Sequence, residues 1–256
     1  MIGPAKIKTS VVLTAVLSII ISCSSSKRTI SDSIILPPSD STVYGLALNT
    51  AKDFNNLKIS DNLTWVNPGN HAIDMQNTDT FKVLVIAWKD SADLKYYNYG
   101  KAGYFNTGRF INFVTVEPDL KKWYTHNKTD SATLDMRLKQ LLGLPPNVNK
   151  NCWIEFWVNA KDLYRPCKDN SIADNACDVD FPANADSSYI QWWNDYHTNS
   201  YNNPNLYSNY PFSGLGYTYD WFPHNKTHIG LSEFCIKKNA AIYVKGHAAT
   251  YAYFKQ

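Results

Sequence analysis

The sequence predicts an α+β fold built on a mostly antiparallel sheet, with two or three inserted helices and disulfide staples. Three observations carry that prediction. Short stretches rich in β-branched and aromatic residues recur at strand length along the chain. Only two segments combine a helical period with start and stop signals. Cys152, Cys167, Cys177 and Cys235 form an even set in the second half of the chain, which suits pairing in an oxidising compartment.

The first strand is Phe81 to Lys89, an almost continuous apolar run. In Arg109 to Glu117, Phe110, Asn112, Val114 and Val116 alternate with Ile111, Phe113 and Thr115, the period of a strand with two different faces. Cys152 to Val158 is a third strand, β-branched and aromatic. Tyr217 to Trp221, Leu231 to Ile236, Ala241 to Val244 and Ala249 to Phe254 complete the expected strands. Asp130 can cap a helix from Ser131 to Leu142, with Leu134, Leu138, Leu141 and Leu142 on one face. Gly143 and Pro145-Pro146 end it. Asp186 can cap a second helix to about Thr198, on which Tyr189, Trp192, Trp193 and Tyr196 form a single aromatic stripe. The Asn-, Tyr-, Pro- and Ser-rich stretch from Asn199 to Pro211 reads as a long ordered loop, a type that is often functional.

Four cysteines allow three pairings. Cys167–Cys177, closing a short polar loop, and Cys152–Cys235, joining two strands, are the favoured pair. The absence of any C-x-x-C spacing argues against zinc. The same loop holds Asp169, Asp174, Asp178 and Asp180, an oxygen-rich cluster that makes calcium the one cofactor the sequence suggests. The spacing does not match an EF-hand and lacks its glycine.

Composition narrows the function class. The chain has 256 residues and a formal charge of +3, with no basic cluster, so nothing marks a nucleic-acid surface. Aromatic residues make up 14%, including 17 Tyr and 8 Trp. With the frequent asparagines they suit either sugar stacking and hydroxyl bonding or a β-rich core with tyrosines at its rim. No G-x-S-x-G elbow, P-loop or G-x-G-x-x-G is present. His224 and His228 have i, i+4 spacing, but Pro223 and Gly230 bracket them, so a surface turn is expected rather than a metal pair. Glu233 is the residue that asks for an explanation. It interrupts the apolar run Gly230 to Ile236, and burying an unpaired carboxylate is costly. Either it lies on an exposed strand face or it is a functional carboxylate in a cleft.

The N-terminus carries the clearest address. Lys6 and Lys8 precede an apolar run from Val11 to Ile21, too short for a transmembrane helix. It ends in Ile20-Ile21-Ser22-Cys23, which resembles the lipobox of bacterial lipoproteins. The resemblance implies cleavage after residue 22, lipid on Cys23 and two or more acyl chains, enough for stable membrane attachment. Ser24 in place of Asp implies outer-membrane rather than inner-membrane retention. Losing Lys6 and Lys8 brings the mature chain near +1. Residues 23–42, rich in Ser and Pro, read as a flexible tether before a single globular domain over 43–256.

Two further resemblances bear on the domain. Gly230-Leu231-Ser232-Glu233-Phe234-Cys235-Ile236 resembles the late glutamate strand of ADP-ribosyltransferase-like folds. That implies Glu233 stabilising positive charge on a ribose as nicotinamide leaves. Such folds also need an early Arg or His and a middle Ser or Tyr, for which Arg109, Arg165, Ser213 and Tyr217 are available. Arg137 to Pro146, Asp162 to Cys167, Leu215 to Trp221 and Gly230 to Phe234 together resemble an uncharacterised family of bacterial secreted proteins. That resemblance implies no activity, but it marks Arg165, Tyr217, Asp220, Trp221 and Glu233 as candidate binding residues. The expected function is a non-enzymatic, lipid-anchored envelope protein that binds a glycan, peptide or protein. An envelope enzyme using Glu233, on NAD or a glycosidic bond, and a structural assembly lipoprotein are the alternatives.

Overall fold

A computed structural model describes residues 39–77, 79–97, 104–106 and 112–256. The signal segment, Cys23, most of the expected tether, and Arg109 with its two neighbours lie outside the described residues. Ten strands and five helices follow in order among them: α1 (Asp40–Ala51), β1 (Met75–Asn77), β2 (Phe81–Lys89), β3 (Tyr104–Asn106), β4 (Asn112–Val116), α2 (Asp119–Asn127), α3 (Leu134–Leu141), β5 (Cys152–Asn159), β6 (Leu163–Tyr164), α4 (Ser187–Asn199), β7 (Tyr217–Tyr219), β8 (Ile229–Ser232), β9 (Phe234–Ile236), β10 (Ala241–Ala249) and α5 (Thr250–Tyr253). The class is α+β, as the sequence predicts, with more helix than expected.

The main sheet runs β3-β10-β5-β2-β4-β9-β6, with β1 added beside β2, and every pairing is antiparallel. β7 and β8 form a separate ribbon. The continuous apolar run of β2 has a plain cause: the strand is central and covered on both sides. Val83, Val85 and Ala87 join Val114, Val116, Ile154, Phe156, Phe234 and Ile236 in one core. Ile86 and Trp88 point to the other face and pack with Leu120, Leu134, Leu138, Leu141 and Trp153. Alternate residues of a strand face opposite sides, so one strand serves two cores.

Two helices that the sequence did not reveal carry weak signals. α1 starts at Asp40, inside the expected tether, with Ser39 accepting from the Thr42 amide at 3.3 Å. It buries Tyr44, Ala47, Leu48 and Ala51, and Tyr44 meets Trp221 edge-on at 5.5 Å. Two of those four are alanine, so the stripe is faint in hydropathy. α2 buries only Leu120. Of the predicted helices, α4 is capped by Asp186 as expected, through the Ser188 and Tyr189 amides. α3 begins at Leu134 rather than Ser131. Asp130 accepts from the Ala132 and Thr133 amides and so caps a preceding turn. Gly143 follows α3 at φ +66, a conformation where a Cβ would also crowd the Tyr219 carbonyl at 3.2 Å. The strand expected at Ala249 to Phe254 is instead the end of β10 followed by α5.

One disulfide expectation holds and the other does not. Cys167 and Cys177 are bonded, with Cα atoms 6.3 Å apart, and they sit in a small core with Leu63, Leu215 and Tyr217. Cys152 and Cys235 are both buried and free. The reason is topological: β5 and β9 are separated by β2 and β4. Three strand spacings put such residues about 14 Å apart, twice the reach of a disulfide. Alkylation of unreduced, denatured protein should therefore label Cys152 and Cys235 and spare Cys167 and Cys177, read by peptide mass spectrometry. Protection of Cys152 would contradict this arrangement.

Candidate functional site

The sheet register gathers the site. Ile86 of β2 pairs with Thr115 of β4, and the β4–β9 register brings Glu233 alongside Thr115. Ile86, Thr115 and Glu233 therefore form one row across neighbouring strands, facing away from the Val85, Val116 and Phe234 core. Over this row lies a cavity of about 570 Å³. Its opposite walls come from Leu142 to Leu144 after α3, Tyr196 of α4, Tyr210 to Phe212 at the end of the long loop, and the β7 strand. That loop is ordered by Asn209, whose amide donates to the carbonyls of Asn203 and Asn205 and whose side-chain oxygen accepts from the Asn203 amide.

Glu233 is held by its backbone, with its amide donating to the Gly216 carbonyl at 2.9 Å. Its carboxyl lines the cavity and has no hydrogen-bond partner among the described residues. Burial alone pushes it up to about 8, so at neutral pH it is mostly protonated. Two other carboxyls, one buried and one half-buried, show what satisfaction looks like. Glu117 is also pushed up by burial, to about 7, but it accepts from the Tyr253 hydroxyl. Asp119 accepts from the Thr64 hydroxyl. Glu233 lacks any such partner, and the residual accessible part of its side chain faces the cavity.

The Tyr196 hydroxyl on this cavity, like the buried ring nitrogen of Trp153, also lacks a partner among the described residues. Burial, and then the neighbouring Glu233 charge, hold its phenol far above the ordinary range. Its ring packs against Phe113 at 5.1 Å and Phe212 at 5.0 Å. Tyr196 and Tyr210 also line a second, shallower concavity of about 360 Å³ on the outer face of α4, with Trp192, Asp195, Asn199 and Ser208. There Trp192 and Tyr196 stack at 5.6 Å and 28°. Trp192 and Tyr196 are partly exposed and Tyr210 is 39% exposed. The inner cavity differs, since Trp88, Trp153, Phe212, Tyr217 and Tyr219 are all buried. Lys89, Lys150 and Lys238 line one end of the inner cavity. Lys89 donates to Asn112 at 3.1 Å, and burial, helped by Lys150, lowers its ammonium to about 8.

Of the residues singled out from sequence, Glu233 and Tyr217 line the cavity. The Tyr217 hydroxyl donates to the Lys58 carbonyl. Asp220 and Trp221 do not line it; they belong to a buried polar network. Asp220 takes a two-pronged ion pair from Arg137, at 3.0 and 2.7 Å, and accepts from the Phe222 amide and Asn225. The Trp221 ring nitrogen donates to the Leu144 carbonyl. Arg165 is fully buried on the other side of the sheet, over the Phe234 ring at 5.0 Å. It ties down the acidic loop through the Ser171 and Asp174 carbonyls, not through carboxylates. Asp169, Asp174, Asp178 and Asp180 do not converge, and among the described residues no three His, Cys, Asp or Glu side chains gather as a metal site would require. His224 and His228 part as expected for a turn, His228 stacking on Tyr219 and His224 meeting Phe222 edge-on. Sequence reasoning missed Lys89 and Arg137. An ionisable residue ending a buried strand and a basic residue in an apolar helix face were the available signals.

No protein-family model, curated protein or solved structure matches this chain.

Proposed function

We propose that this chain is a lipid-anchored envelope protein that binds a glycan without acting on it. The observation that supports this reading is that Tyr196 and Tyr210 line two concavities at once: an outer shelf of partly exposed rings beside Asp195, Asn199 and Ser208, and an inner cavity lined by the unpartnered Glu233. Ring faces take up the apolar C–H side of a sugar, and neighbouring amide, hydroxyl and carboxyl groups meet its hydroxyls. Burying an unsatisfied carboxyl costs stability, so a ligand that satisfies it recovers that cost on binding.

Retention of the whole chain on a panel of immobilised oligosaccharides tests the reading. Tyr210→Ala and Trp192→Ala should each weaken binding on the order of tenfold, as truncating a central aromatic contact does. Failure of every oligosaccharide to bind, or equal binding by both variants, would overturn it. The anchor rests on the Cys23 motif, and incorporation of a labelled fatty acid that disappears in Cys23→Ala is its test.

An enzyme using Glu233 as a proton donor is the second reading. Its support is the carboxyl held protonated at neutral pH, the state a general acid needs. Glycosidic-bond chemistry needs a second carboxyl roughly 5–10 Å away. Among the described residues, Glu233 is the one carboxyl lining the inner cavity. ADP-ribosyl transfer draws no support from Arg165, which lies across the sheet from Glu233.

A further inference from the structure

We infer that the glycan carries a free amine on the sugar that reaches Glu233, so that the inner cavity recognises a de-N-acetylated amino sugar. The inference rests on the glycan reading and adds the identity of the innermost group. Leu142, Leu144, Leu231 and Phe212 are among the apolar walls of the inner cavity, which offers one carboxyl with no partner of its own. A neutral hydroxyl can accept from or donate to such a carboxyl. An ammonium does more, because it ionises the carboxyl and pairs with it where little water competes.

Three features favour an amine over the alternatives. No protein cation pairs with Glu233 among the described residues: Lys89, Lys150 and Lys238 line the same cavity, yet none of them forms an ion pair with it. The position of a counter-cation is thus left to the ligand. Tyr196, which lines the same cavity, stays protonated and can donate to a sugar oxygen beside the amine. An acetamide would set a methyl and a carbonyl against the carboxyl, and it gives up the charge that the carboxyl can pair with. Cys235, the other titratable group near Glu233, also stays protonated because burial raises it, so no competing anion sits beside the pair.

Three disaccharides with the same β-1,4 backbone isolate the group at C2: chitosan disaccharide carries amines, chitin disaccharide acetamides and cellobiose hydroxyls. Titration calorimetry on the whole chain should show the amine form binding at least tenfold more tightly than either other form. In Glu233→Gln the three should bind alike, because the amide cannot ionise. At pH 6, where the sugar amine is already an ammonium and Glu233 still holds its proton, the amine form should release close to one proton per site, seen as a dependence of heat on buffer. Equal binding of the three by the wild type, or preference for the acetamide, overturns the amine inference and leaves the glycan reading standing. If none of the three binds while other oligosaccharides do, the amine inference is likewise overturned. If no oligosaccharide binds at all, both fall.

Discussion

Replacing Glu233 by glutamine should stabilise the folded protein at pH 8 by about 2–3 kcal/mol and leave it almost unchanged at pH 5. The sign follows from the displaced titration. An unfolded glutamate loses its proton near 4.3, whereas folded Glu233 keeps it up to about 8. Between those values the folded state holds a proton that the unfolded chain has released. Each pH unit in that window therefore costs the fold about 1.4 kcal/mol, discounted here because the side chain keeps some contact with the cavity. Below about 4.3 both states are protonated and the penalty is absent. It grows as pH rises and is complete above about 8. Glutamine has a similar shape and no proton to lose. Glu117, displaced to about 7, tilts the stability of both proteins in the same direction and cancels in the difference. Denaturant unfolding of the two proteins at pH 5 and pH 8 makes the measurement. A variant that is no more stable at pH 8 than at pH 5, relative to the wild type, would contradict the burial argument. A gain in stability combined with a loss of ligand binding is the pattern of a residue kept for function.

Asp220→Ala should have the opposite outcome, a loss of about 3–5 kcal/mol with ligand affinity unchanged in whatever protein remains folded. Arg137 lies between the rings of Trp123 and Phe222, at 5.1 and 4.6 Å, with its side chain mostly covered. Removing Asp220 leaves that guanidinium buried without its anion. It also strips the acceptor from the Phe222 amide and Asn225, which shape the turn before β8. The double substitution Arg137→Met with Asp220→Leu should recover much of the loss, because replacing a whole buried pair costs less than orphaning one member. Thermal melts of the wild type and the two variants would show the order. A double variant as unstable as Asp220→Ala would mean that Asp220 acts mainly through Phe222 and Asn225 rather than through Arg137.

The two predictions show how differently two acidic residues from one stretch of sequence behave. Asp220 and Glu233 both stand among apolar and aromatic neighbours, and both looked like candidates for a ligand site. Sequence could not separate them, because the deciding partner of Asp220 is Arg137, 83 positions earlier. Glu233 is distinguished by having no such partner, and an absence of contact cannot be read along the chain. The same limit applies to Arg165. It directly follows the short strand β6, and only the strand order puts it behind Phe234, across from the residue it was expected to join.

What the sequence by itself determined is local. The β-branched and aromatic runs became β2, β4 and β5, Asp186 capped α4, Gly143 stopped α3, and Cys167 reached Cys177 across a short loop. Each of these depends on propensity, capping or closure over a few residues, and such forces act between near neighbours. What only the tertiary structure decided is long-range. Strand order placed β2 and β4 between Cys152 and Cys235 and kept them apart as thiols. Strand register set Glu233 beside Thr115 and Ile86. The folding of the 199–211 loop brought Tyr210 beside Tyr196 of α4, and both line the cavity over them. Those outcomes follow from which strands pair and in what register, a choice made by the burial of whole faces rather than by any single segment.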